Sequence, residues 1–112
     1  MPRFFRIKII TMFVYNITTK VDHAILNAWV KWQKEIHIPE MIATGLFSAH
    51  KFFQLLEHDD EEGRTFVIQF FSASKENYEK YLHEFAPGLR KKSQEKWGDH
   101  VIAYRSLLKE LA

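Results

Sequence analysis

The stretch Leu46–Ser72, LFSAHKFFQLLEHDDEEGRTFVIQFFS, decides the fold. Two runs rich in aromatic and β-branched residues flank a short polar segment that ends in glycine. Leu46–His58 reads as a strand, Asp59–Gly63 as a hairpin turn and Arg64–Ser72 as a second strand. A loop this short joins antiparallel neighbours.

Upstream, Met12–Thr18 (MFVYNIT) has the composition of another strand. Asp22 is a suitable N-cap, and Val21 is placed to staple onto Leu26 across the first helical turn. The helix that follows runs to about Ile36 and carries Ile25, Trp29, Trp32 and Ile36 as one apolar stripe. Pro39 is expected to end it, because a proline drives its predecessor, Ile38, out of the helical region. The same proline suits the opening of a second short helix, which Gly45 closes with a left-handed cap.

The downstream half repeats this plan. Ser74 caps a helix with Tyr78, Tyr81, Leu82, Phe85 and Leu89 on one side. Pro87 interrupts it, a continuation reaches Trp97, Gly98 closes it, and His100–Leu108 is the last strand. From cap to glycine the first half spans 45 − 22 = 23 positions and the second 98 − 74 = 24, without a residue-level repeat. The order β-α-β-β-α-β is that of the ferredoxin-like α+β fold, a four-stranded antiparallel sheet with both kinked helices on one face. The length of 112 residues fits one domain, expected over 12–112, with 1–11 an N-terminal extension.

Bulk composition excludes several functions. There is no cysteine, so disulfides, thiolate zinc sites and a cysteine nucleophile are ruled out. Sixteen basic against 14 acidic residues leave a charge of +2, too balanced to imply a polyanionic partner. The one dense basic run, Leu89–Lys96, reads as a solvated helix face. No apolar run spans a membrane, and the start has no signal-peptide core. A cytoplasmic chain is expected. The six histidines show no metal-ligand spacing, the acidic turn lacks a calcium-loop pattern, and no nucleophile elbow or phosphate loop is present. No metal or cofactor is called for.

The third strand alternates Phe66, Ile68 and Phe70 with Thr65, Val67, Gln69 and Phe71. The purely apolar set is expected under the helices. Asn16 of the first strand then shares the opposite face with Gln69. In the last strand Val101, Ala103, Arg105 and Leu107 share one face, which the pattern alone does not orient. A sheet face this apolar calls for a cover, and face-to-face packing in a homodimer supplies one. The aromatics of RTFVIQFF lack the basic-glycine-aromatic motif of RNA-binding sheets, so nucleic acid is not expected.

The segments VYNIT (14–18), WVKWQKEIHIPEMIATGLF (29–47), IQFF (68–71), YLHEFAPGLR (81–90) and AYRSLL (103–108) resemble a small bacterial family known as domain of unknown function 4286. The layout is more distantly similar to dimeric α+β barrel proteins, which include cofactor-free monooxygenases, small isomerases and stress-response proteins. Several of those have a histidine and a proline after the first helix, near a pocket mouth.

The resemblance names no activity; the first expectation, from the apolar sheet face, is a homodimer that binds a small apolar or aromatic ligand in a cleft between sheet and helices. It leaves a cofactor-free oxygenase or isomerase, or a structural or regulatory module, as alternatives. His37 is the candidate general base, with Glu35 or Glu40 to orient it; otherwise its ring complements a helix C-terminus. Trp32 is the candidate pocket wall, and Trp29 reads as core. Asn16 and Gln69 are candidates for a polar ligand, for each other or for a partner subunit. Arg105 is placed to hold a carboxylate or an intersubunit ion pair.

Overall fold

The computed structural model describes residues 11–57 and 59–112. The expected extension over 1–11, except Thr11, and His58 at the expected end of the second strand lie outside the described residues. Four strands, β1 (Phe13–Asp22), β2 (Ala49–Gln54), β3 (Gly63–Ser72) and β4 (Val101–Lys109), form one antiparallel sheet in the order β2-β3-β1-β4. Helices α1 (Leu26–Trp32), α2 (Ile38–Ala43), α3 (Lys75–Glu84) and α4 (Ala86–Trp97) cover one face. This is the ferredoxin-like α+β arrangement.

Register fixes which side chains face the helices. Tyr15, Ile17, Thr19 and Val21 of β1 are buried, as are Phe66, Ile68 and Phe70 of β3. Ile17 pairs with Arg105 and Thr19 with Ala103, which orients β4: its odd-numbered residues face the helices. The opposite face carries Val14, Asn16, Val67, Gln69, Phe71 and Tyr104, all at least partly exposed.

Two strands differ in length from the sequence expectation by more than one residue. β1 continues past Thr18 to Asp22, because Thr19 and Val21 are β-branched and keep the alternation. Asp22 still caps, accepting from the Ala24 amide at 3.0 Å to start a 3₁₀ turn, His23–Ile25. β2 is shorter at both ends. Leu46 and Phe47 are buried in the core ahead of it, and Glu57 adopts a positive φ of 54° that turns the chain away after Gln54.

The larger correction concerns Pro39. Ile38 stays helical, at φ −59° and ψ −46°, and the helix does not stop. It passes through a π turn, Gln33–His37, in which the Ile38 amide bonds the Gln33 carbonyl five residues back, and continues as α2. In an α-helix the Pro39 ring would meet the carbonyl four residues back and leave it without a donor. The wider π turn adds a residue at that point and keeps the axis running. The second proline behaves as expected. Phe85, at φ −118°, separates α3 from α4, and Pro87 lies in the first turn of α4. Gly45 and Gly98 both take positive φ, 77° and 54°, and end their helices in left-handed backbone that only glycine adopts at little cost.

Candidate functional site

The π turn sets the site by shifting the helical register one residue. The stripe Trp29–Trp32 would continue to Ile36 in an unbroken α-helix, but Ile36 is 47% exposed. His37 takes its place: its ring stacks on Trp32 with centroids 4.9 Å apart and planes 14° from parallel. Trp32 in turn meets Trp97 edge-on at 5.7 Å. Gln33, the first residue of the π turn, is 6% exposed.

Trp29, Gln33 and His37, four residues apart in turn, reach one cavity of about 50 Å³ between the helices and the sheet. Ile17, Thr19 and Ile68 of the sheet floor also line it, as do Tyr15 and Tyr81. α4 adds Arg90 and β4 adds Arg105, both more exposed and therefore at the rim. Among the described residues the lining contains no carboxylate.

Two features stand out electrostatically. Burial holds the His37 ring down to about 4 from an ordinary 6.5; Glu40 acts against this, while Arg105 and Lys92 lower it further. His37 is therefore neutral near pH 7. Arg90 donates to the Tyr15 hydroxyl at 3.1 Å, and burial pushes the neighbouring Tyr81 phenol well up. The Tyr81 phenol stays protonated, and its ring centroid lies 5.4 Å from that of Tyr15. Gln33 Oε1 is buried with no hydrogen-bond partner among the described residues. An unpaired buried amide oxygen costs about 1–3 kcal/mol.

The residues singled out from sequence thus fall on two sides of the sheet. His37 and Arg105 share the cavity. Trp32 is not on its wall but behind His37, and Trp29, read as core, is on the wall. Asn16 and Gln69 are on the opposite face, where Gln69 Nε2 donates to Asn16 Oδ1 at 3.2 Å and Asn16 Nδ2 to Thr18 Oγ1 at 3.4 Å. Nothing in the fold brings these amides to His37.

Sequence reasoning missed Gln33, Tyr15 and Arg90. The signal for Gln33 was its place four residues after Trp29, a polar side chain on the edge of an apolar stripe. Arg90 was hidden in the basic run read as a solvated face, and its inward turn depends on Tyr15, 75 residues away.

No curated protein matches the chain in sequence. Several solved structures share its fold. An ethyl tert-butyl ether d (EthD) family protein from Bacillus halodurans superposes with a TM-score of 0.67 at 11% identity, over 88% of this chain and 99% of its own. A dimeric ferredoxin-like protein from an uncultured marine organism gives 0.66 at 11% identity, over 91% and 97%. A protein from Bacillus cereus, provisionally named an antibiotic biosynthesis monooxygenase, gives 0.55 at 16% identity, over 90% and 94%. Likeness at such identity shows the fold alone. The sequence model of one family, domain of unknown function 4286 (DUF4286), matches residues 12–111, and the chain belongs to that family.

Proposed function

We propose that the chain works as a homodimer in which each protomer binds a small organic molecule in the cavity between sheet and helices. The observation that carries this reading is the Gln33 amide, buried and unpaired at Oε1 beside a cavity that Arg90, Arg105 and His37 also reach. Buried polar groups are normally paired, and of the three unpaired ones among the described residues, Gln33 Oε1, Asp60 Oδ1 and Trp97 Nε1, only Gln33 belongs to the wall of this cavity. The half-apolar outer sheet face supports the dimer, as does the fold neighbour described as dimeric.

The test is chemical-shift mapping on labelled protein with a panel of small acids, alcohols and amides. Saturable shifts centred on the Gln33 side-chain amide, the Trp29 indole and the His37 ring are expected. Shifts confined to other surfaces, or none that saturate, would overturn the reading.

A proton-transfer enzyme is the second reading, favoured by one observation: His37 is uncharged near neutral pH and so has a free lone pair at the cavity. A ring held to about 4 is a weak base, however, and is useful as a base only beside a negative charge that raises it. Binding is therefore the primary reading. Replacing His37 with Asn separates the two, since it would abolish turnover of any substrate found but reduce ligand affinity only modestly.

A further inference from the structure

We infer that the mouth of this cavity is a carboxylate subsite: the ligand is a small organic monoacid whose carboxylate lies between the guanidinium groups of Arg90 and Arg105 and whose uncharged end enters the cavity. This rests on the binding reading above and adds the chemical class.

The charge at the mouth is one-sided. Arg90 comes from α4 and Arg105 from β4, so two separate elements bring a guanidinium to one cavity. Of the three arginines among the described residues, Arg64 is paired with Asp60 at 3.8 Å. The two without an ion pair among those residues are the two that line the cavity. Glu40, whose charge reaches His37, is already engaged with Lys92 at 3.2 Å.

The two charges also converge. Burial raises the Tyr81 phenol, and Arg90 and Arg105 both act to lower it. A charge acts on a phenol in this way from close by, so both guanidinium groups approach the same ring. Arg90 is held there from inside: its Nη2 donates to the hydroxyl of Tyr15, a residue only 1% exposed, at 3.1 Å. A guanidinium has five N–H donors, so the rest of Arg90's stay free. Two guanidinium groups at one mouth repel each other and offer donors only. A carboxylate has two acceptor oxygens and takes charge-assisted bonds from both.

The interior sets the other end of the molecule. Behind the rim stand the buried side chains of Ile17, Trp29 and Ile68, and His37 there is neutral near pH 7. A second negative charge would enter apolar surroundings without a cation to meet it. An uncharged organic end avoids that cost, which favours a monocarboxylate over phosphate or a dicarboxylate.

The experiment titrates the full chain with acetate, acetamide and inorganic phosphate at one ionic strength, read at the Trp29 indole and the Arg90 and Arg105 side-chain N–H signals. Acetate is a small carboxylate with an apolar end, and acetamide is its uncharged counterpart of nearly the same shape, so the comparison isolates charge. Acetate is expected to bind saturably, with acetamide weaker by about tenfold or more. Arg105→Gln is expected to weaken acetate by a similar factor. Lys91→Gln removes the same charge next to Arg90, from a side chain paired with Glu95 at 3.9 Å, and is expected to leave acetate unchanged. Equal weakening by the two variants would mean that acetate feels only the general field of this surface, and would overturn the subsite. Equal binding of acetamide would overturn the carboxylate while leaving a working cavity. Phosphate that binds as well as acetate, without moving the Trp29 indole, would overturn the organic acid. If acetate moves none of these signals the class falls, and the binding reading falls with it only if the alcohols and amides are silent too.

Discussion

The rings of Trp32 and His37 stack at 4.9 Å although five residues separate them. In an α-helix, at 3.6 residues per turn, residues five apart point about 140° away from each other. The stack therefore requires the π turn, Gln33–His37, and the π turn makes Ile36 the extra residue. Ile36 swings outward to 47% exposure, and His37 inherits its place on the buried stripe.

If Ile36 is the inserted residue and Pro39 the reason for the insertion, the two positions are energetically coupled. Deleting Ile36 alone forces Pro39 into α-helical backbone and is expected to cost about 3 kcal/mol or more. Deleting Ile36 in a Pro39→Ala background is expected to recover most of that loss, with the Trp32–His37 stack kept at α-helical spacing. Urea unfolding of the four proteins in the cycle measures the coupling. Additive costs would mean that proline is not what the π turn accommodates.

The depressed His37 gives a pH signature whose sign is defined. Between the unfolded value of 6.5 and the folded value of about 4, the unfolded chain binds the extra proton. Stability from this group is therefore complete above 6.5 and is lost as pH falls toward 4. The gap, at about 1.4 kcal/mol for each pH unit, amounts to roughly 3 kcal/mol. His37→Phe keeps an aromatic ring against Trp32 but cannot take up a proton. Its stability is expected to fall less than the wild type's across that window. Parallel curves from denaturant unfolding at a series of pH values would rule out a buried, neutral His37.

The fold was readable because each signal was local. Strand alternation, the Ser74 cap and the two closing glycines all act within a few residues, and each lies where the pattern placed it. The site was less readable because it depends on a register that one residue alters. The rule that proline ends a helix is sound for α geometry, and it misplaced Ile36 and His37 because the chain escaped through π geometry instead. Asn16 and Gln69 were rightly assigned to one face, opposite the helices, and the cavity lies on the helix side of the sheet. Arg90 and Gln33 matter through partners or cavities that sequence spacing does not encode.

Gly63 begins β3 opposite Asp22, and a β-carbon there would run into the Val21 backbone carbonyl. Backbone cannot yield as a flexible side chain does. Gly63→Ala is expected to destabilise the protein by about 1–3 kcal/mol, as overpacking does in a tight core. A thermal melt with an unchanged midpoint would show that the strand ends part easily at this corner.

The proposed dimer makes a sharper demand on the outer sheet face. Strands about 4.8 Å apart, rising about 3.3 Å per residue, give a four-stranded sheet with strands of up to ten residues a flat footprint of roughly 600 Å². Its accessible surface, with projecting side chains, approaches the ~800 Å² per partner of a stable interface. Tyr104 on β4 is 70% exposed and Phe53 on β2 is 45% exposed, so the apolar area reaches both edges, with the Asn16–Gln69 amide pair between. Light scattering is expected to give twice the monomer mass for the wild type. Phe53→Lys with Tyr104→Lys places two charges per protomer on that face and is expected to give monomers, since neither side chain is in the protomer's own core. The Gln33 cavity faces the other way, so ligand shifts should survive in the monomeric variant. A wild type that runs as a monomer at high concentration would remove the dimer and leave the cavity reading to stand on Gln33.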